Sequence, residues 1–255
     1  MMAPAVPRRV WITGASSGLG EALAREYAAN GAQVLLTARP GPRLDAVCKS
    51  LAAFHPSSYP ADVTVAAQLE SIVVAMESAG ELPDLAILNA GTYRPMGIAD
   101  FDTDAIVELF ALNFFAVARG IELLLPRFRA RGSGHLAVVG SVAGDIGLPY
   151  AGPYSASKAA VMRLCESLRP EFERAGLNLS VVNPGFVNTP LTARNEFPMP
   201  FMISADRAAT IIRRDLARLR FEIRFPLVMS LAVRLLSALP KGLSGMIARR
   251  MLNDK

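Results

Sequence analysis

The sequence is poor in the residues that build metal centres and covalent staples. Its 255 residues include two cysteines, Cys48 and Cys165, and two histidines, His55 and His135. Two cysteines cannot form a disulfide framework or a zinc-binding set, and two histidines exclude a histidine-rich metal centre, so no metal ligands are assigned. Charge is sparse as well: Asp, Glu, Lys and Arg together make up 19%. With 52% hydrophobic residues, the chain cannot remain disordered and is long enough to bury a full core. Its 19 glycines and 18 prolines follow no period, which excludes collagen-like and low-complexity chains. No repeat of about 20 to 50 residues is present. No long apolar run precedes a small-residue cleavage site near Met1, so no secretory signal is visible, and a reducing, cytoplasmic setting is expected.

The net charge of +5 is unevenly placed. Residues 205–255 carry eleven Lys and Arg against four Asp and Glu, whereas residues 1–204 carry sixteen against eighteen. Basicity belongs to the C-terminal fifth. That argues against a nucleic-acid-binding protein and for one special segment.

Apolar runs alternate with helical patterns along the rest of the chain. Residues 9–13, 33–37, 58–61, 85–88, 135–140, 177–182 and 221–225 read as strands. Residues 21–30, 40–54, 66–79, 100–131 and 154–175 read as helices. Strands alternating with helices predict a parallel sheet covered on both faces, and continuously apolar strands fit that burial. The expected architecture is α/β: one Rossmann-type, doubly wound parallel sheet of about seven strands in residues 1–225, with 226–255 as its helical extension. Such sheets bind ligands at the C-terminal strand ends, near the reversal of strand order.

The chemistry-bearing patterns fall at those ends. Thr13-Gly14-Ala15-Ser16-Ser17-Gly18-Leu19-Gly20 follows the first strand and opens the first helix. Gly14 suits a tight turn, Gly18 a close approach to a pyrophosphate, and Gly20 close helix packing. The helix N-terminus presents free N–H groups and partial positive charge to phosphates. Alone, the G-x-x-x-G-x-G spacing would also suit an ordinary strand-to-helix turn. The second strand ends in Thr37-Ala38-Arg39, and no acid occurs between Glu26 and Asp45. An NAD site usually has a carboxylate there for the ribose 2′-hydroxyl. Arg39, with Arg43 as a second candidate, instead matches a 2′-phosphate. NADP(H) is therefore the expected cofactor, with NAD(H) as the alternative.

Tyr154 and Lys158 are four apart and share a helix face. A nearby ammonium would lower the phenol's pKa and make Tyr154 a general acid/base. Ser141 ends the fifth predicted strand, thirteen residues earlier, where its hydroxyl could bond a carbonyl oxygen. Together with Asp62-Val63, Leu88-Asn89-Ala90-Gly91, Asn113 and Pro184-Gly185-Phe186-Val187-Asn188-Thr189, these motifs stand in one order over residues 13–189. In that combination the sequence resembles the short-chain dehydrogenase/reductase family. The resemblance implies a seven-stranded sheet and a catalytic set of Asn113, Ser141, Tyr154 and Lys158. Tyr154 would exchange a proton with the carbonyl or alcohol oxygen, Ser141 would position that oxygen, and Asn113 would hold its helix and join a water relay. Lys158 would also bond the nicotinamide ribose. Asp62 and Val63 would meet the adenine, Asn89, Ala90 and Gly91 would line the cleft, and Pro184, Gly185, Val187 and Thr189 would lie at the nicotinamide end. The family's usual second Asn is replaced by Leu88, which can complete the strand. Gly140 is read as leaving room beside the cleft.

Residues 190–203 are expected to cover the substrate as a lid. With Phe197, Phe201, Met199 and Met202 there, and only Arg94 and Arg194 as nearby cations, an uncharged, lipophilic carbonyl or alcohol is expected. Beyond the last strand, Ser230, Arg234 and Ser237 form a narrow polar stripe on an otherwise apolar helix, too short for a bilayer span. Such a helix is buried or interfacial. It would serve a homo-oligomer (dimer or tetramer), or touch an anionic membrane with help from Lys241, Arg249, Arg250 and Lys255. The resulting expectation is an NADP(H)-dependent carbonyl reductase or alcohol dehydrogenase. The rivals are an NADPH-binding sensor or scaffold without turnover and a peripheral membrane enzyme reducing lipid-derived ketones.

Overall fold

Alternate residues of the central strands feed alternate cores, which explains why their middles are continuously apolar. The computed structural model describes residues 7–194 and 198–240, with positions 242, 243, 246 and 249 beyond them. In chain order the elements are β1 (Arg9–Thr13), α1 (Gly18–Ala29), β2 (Gln33–Thr37), α2 (Pro42–Ser50), β3 (Ser57–Ser58), α3 (Ala66–Ser78) and β4 (Leu85–Leu88). There follow α4 (Thr103–Phe110), α5 (Ala116–Arg131), β5 (His135–Val139), α6 (Gly152–Arg174), β6 (Asn178–Pro184), β7 (Val187–Asn188), β8 (Ile203–Ser204), α7 (Ala205–Leu216), β9 (Glu222–Phe225) and α8 (Leu227–Ala238). Seven strands form one sheet in the order β3-β2-β1-β4-β5-β6-β9, and every pairing is parallel. Val10, Ile12, Leu36, Ile87 and Val139 enter one core with α1, α2 and α7, while Trp11, Leu35, Ala86, Leu88 and Val138 enter the other with α3, α5 and α6. The strand order reverses between β1 and β4, which opens a crevice at their C-terminal ends.

The seven expected sheet strands are all present, with small shifts. The expected strand 58–61 contracts to Ser57–Ser58, and 40–54 divides into α2 and a short 3-10 turn at Ala52–Phe54. The long expected helix is α4 and α5 joined by a π-helical turn at Ala111–Phe115. Two features of the C-terminal third go beyond the sequence pattern. The segment after β7 is bracketed by β7 and β8, which pair in parallel; two-residue strands carry no periodicity to reveal them. Within α8 the polar stripe, whose direction the pattern left open, meets the sheet at Ser230 and through the Arg234 bond to Glu222. Ser230 is buried, Arg234 bonds Glu222, and Leu227, Val228, Leu231 and Leu235 are each at least 60% exposed. Of the residues named for the lid and the tail, Asn195, Glu196 and Phe197, the Arg194 side chain, and Lys241, Arg250 and Lys255 lie outside the described residues.

His135 is structural. Its Nε2 lies 2.8 Å from the Ser180 hydroxyl, and that hydroxyl donates its proton to the Arg220 carbonyl. The imidazole must therefore donate Nε2–H. Burial lowers its pKa from 6.5 to about 4. The folded state thus binds fewer protons than the unfolded one between those values, and stability is lost as pH falls from 6.5 toward 4. We expect His135 to account for about 2 kcal/mol of lost stability between pH 7 and pH 5. Denaturant unfolding of His135→Gln at both pH values should show a loss smaller by that amount.

Candidate active site

The crevice is built around a clamp between its two central strands. Thr13 ends β1, and its hydroxyl accepts the Asn89 and Ala90 N–H groups at 3.0 and 3.1 Å. The Asn89 amide in turn donates to the Thr13 carbonyl at 2.9 Å. This fixes the start of the glycine turn against the end of β4. Gly14 and Gly18 both adopt positive φ, +69° and +57°, where glycine is favoured. A Cβ at Gly20 would lie 2.2 Å from the Gly14 carbonyl oxygen, and one at Gly14 would lie 2.9 Å from the Ala90 Cα. Gly20 therefore permits helix-on-turn contact. Gly18 packs toward Thr189, whose Cβ would lie 3.1 Å from an added Cβ. Ser17 begins α1 without a side-chain cap bond, so its hydroxyl leaves the first-turn N–H groups to the cleft.

The cleft encloses about 880 Å³ and runs from this turn to Ser141 and Tyr154. Every sequence-assigned site residue lines it except Gly20 and Asn113, both buried behind its wall. Arg39 and Arg43 stand at its β2 end beside Asp62 and Val63, and among the described residues neither has a carboxylate within 4 Å. Asp62 accepts from the Thr64 N–H and hydroxyl at 2.9 and 2.7 Å, and the Thr64 hydroxyl leads in holding its pKa below the usual carboxylate value. Glycine cradle, uncapped helix start and free guanidinium groups form one surface that fits a phosphorylated dinucleotide.

At the other end the hydroxyls converge. Ser141 starts a 3-10 turn and accepts the Ala143 N–H at 3.1 Å. Its hydroxyl faces the same end of the cleft as the Tyr154 phenol. Lys158 Nζ donates to the Val139 carbonyl at 2.8 Å and stands 5.9 Å from the Tyr154 ring centroid. Burial lowers the lysine pKa to about 8. Contrary to expectation, the Tyr154 pKa is raised: desolvation outweighs the lowering influence of the Ser141 hydroxyl. The ammonium lies by the ring with its own carbonyl partner and does not reverse that balance. Asn113 occupies the π-helical turn, a distortion often found at functional sites. It accepts the Thr92 N–H at 2.8 Å and donates to the Thr92 carbonyl and the Ser157 hydroxyl, both at 3.0 Å. It therefore ties the chain after Asn89 to α6.

A model of the short-chain dehydrogenases matches residues 8–198. The chain belongs to the short-chain dehydrogenase family. It is 35% identical over 247 residues to an uncharacterised oxidoreductase of Myxococcus xanthus, covering 96% of this chain and 97% of that one. A short-chain dehydrogenase from Burkholderia phymatum solved with NAD superposes with TM-score 0.82 at 26% identity, over 92% and 94% of the two chains. One from Sphingobium yanoikuyae solved with NADPH gives 0.79 at 26% identity, over 91% and 96%. The protein is thus an oxidoreductase with a Rossmann-type fold.

Within this short-chain dehydrogenase, Tyr93 is among the cleft residues that escaped the sequence reading. Tyr93 packs edge-on against Tyr154, with ring centroids 5.2 Å apart, and its charge would raise the Tyr154 pKa further. Its only signal was its place two residues after Gly91. Gly140 lines the cleft and also makes room for Asn183: a Cβ there would lie 2.3 Å from Asn183 Oδ1. Gly20→Ala should cost about 1–3 kcal/mol through backbone overlap. Gly147→Ala, with nothing within 4 Å of its added Cβ, should stay within ~0.5 kcal/mol. Parallel thermal unfolding of the two variants checks this.

Proposed function

We propose that this protein is an NADP(H)-preferring carbonyl reductase or alcohol dehydrogenase that also accepts NAD(H). The observation that carries the reading is the convergence of Ser141, Tyr154 and Lys158 at the end of the glycine-lined cleft. Bound cofactor supplies the hydride chemistry. Gly14, Ser16, Ser17, Gly18, Leu19 and Gly20 would cradle its pyrophosphate, with Asp62 and Val63 at the adenine. Asn89, Ala90 and Gly91 would wall the centre, and Pro184, Gly185, Val187 and Thr189 the nicotinamide end. Neighbours solved with NAD and with NADPH support both cofactors. The unpaired Arg39 and the missing carboxylate support the preference for NADP(H).

Tyr154 would donate its proton to the carbonyl oxygen while Ser141 holds that oxygen. Lys158 would bond the ribose and add positive potential at the phenol, and Asn113 would hold the π-helical turn that shapes the wall. A raised phenol pKa keeps Tyr154 protonated at neutral pH, the form needed for reduction. The sensor reading is weakened by this intact set. Tyr93, Leu109, Leu112 and Leu191 line the same cleft and support a lipophilic, uncharged substrate beneath the 190–203 lid. We take residues 1–225 and the 226–255 extension as one cytoplasmic functional unit. The outward apolar face of α8 supports a dimer or tetramer, with peripheral membrane contact as the second reading.

NADPH oxidation against diketones, aromatic aldehydes and long-chain 3-oxo esters tests the reaction. Tyr154→Phe should lower kcat by roughly 10²–10⁴-fold; unchanged turnover would end the assignment. Arg39→Ala should weaken NADPH binding far more than NADH binding. The pH profiles should be asymmetric. Alcohol oxidation, which needs the phenolate, should climb steadily into the alkaline range. Reduction should be flat near neutrality and fall above about pH 8, where Lys158 loses its proton.

A further inference from the structure

A charge cluster remote from the cofactor end brackets the Ser141 turn. Arg224 and Asp145 are 8% and 9% exposed and form a two-pronged pair at 2.5 and 2.9 Å. Arg224 Nε also donates to Glu222 at 2.5 Å. Glu222 accepts the Asn183 amide at 3.2 Å and is bonded by Arg234 from α8. The β6–β9 register places Asn183 opposite Arg224, and Glu222 and Arg224, two apart in a strand, share a face.

This cluster meets the Ser141 turn on both flanks. On one side Asp145 closes the 3-10 turn, donating its N–H to the Val142 carbonyl at 3.2 Å. On the other, the Gly140 backbone leaves room for the Asn183 side-chain oxygen. A single 3-10 turn has little internal hold. A buried ion pair is a poor stability device, because packed apolar residues serve as well. The guanidinium fork does something apolar residues cannot: it fixes orientation.

We propose that Arg224 is a positioning residue for Ser141. Through Asp145 on one flank and Glu222–Asn183 on the other, it sets where the Ser141 hydroxyl stands relative to Tyr154. Arg234 extends the same connection to the C-terminal helix. The inference rests on the carbonyl-holding role proposed for Ser141. It concerns turnover, because none of these five side chains lines the cleft.

A double-mutant cycle separates positioning from general damage. Arg224→Met should lower kcat for carbonyl reduction roughly 10- to 100-fold, with the KM for NADPH changed less than about twofold. In a Ser141→Ala background the same substitution should change kcat less than about threefold. Arg224→Lys, which keeps charge but loses the fork, should restore only part of the rate. Amide exchange across residues 142–145 should accelerate in Arg224→Met. Equal fractional losses in both backgrounds, or unaltered exchange, would overturn the proposal. If Arg224→Met fails to fold, Asp145→Asn, which keeps the side-chain shape, enters the same cycle with the same expected outcomes. A wild-type protein without carbonyl reduction would refute the proposed reaction, and exchange at the turn would then decide the positioning claim alone.

Discussion

The Thr13–Asn89 clamp is the interaction on which the site depends. A doubly wound sheet has its crevice where neighbouring strands send their chains to opposite faces. Nothing in the sheet ladder alone holds the two exits together beyond the last backbone bond. Here the Thr13 hydroxyl accepts two N–H groups from the β4 exit, and Asn89 answers with its amide. The glycine turn and the Asn-Ala-Gly segment thereby become one rigid lip. Gly14 and Gly20 then matter because a side chain at either would push that lip apart.

Desolvation is the second organising force, and it acts in one direction on chemistry of two signs. It favours the neutral form of every group in the closed end of the cleft. For Tyr154 that means an upward pKa and a retained proton; for Lys158 it means a downward pKa of about 8. Tyr154 is thereby held protonated, while Lys158 is brought toward a readily exchanged proton. The Ser141 hydroxyl moderates the tyrosine shift, which makes the placement of that serine a chemical variable. A turn with so little internal hold can control such a variable only if it is braced from outside. The Asp145–Arg224–Glu222 cluster provides that bracing.

Much of this was legible in the sequence because the strands are apolar and alternate with helices, and because the site residues sit at strand ends in a fixed order. What escaped reading depends on three-dimensional balance. The direction of the α8 polar stripe shows in the Arg234–Glu222 pairing, across residues whose closeness no local period records. The β7–β8 pair is too short to show alternation. The direction of the Tyr154 shift depends on how completely the cleft excludes water, which a four-residue spacing to Lys158 cannot convey. Tyr93 was invisible because an aromatic residue after a strand end has many uses, and its edge-on contact with Tyr154 exists only in the fold.

The C-terminal helix shows how these forces combine. Its polar stripe meets the sheet where Ser230 is buried and where Arg234 joins Arg224 on Glu222. On the same side, Met229 packs over Gly185, where an added Cβ would lie 2.5 Å from the sulfur. The remaining face is left with Leu227, Leu231 and Leu235, one helical turn apart and exposed. These leucines contribute little to holding α8 on the sheet. Contiguous apolar residues on one helix face are the usual mark of a contact surface. The same helix reaches the Ser141 turn through Arg234, Glu222 and Arg224, so this face and the Ser141 turn share one set of bonds.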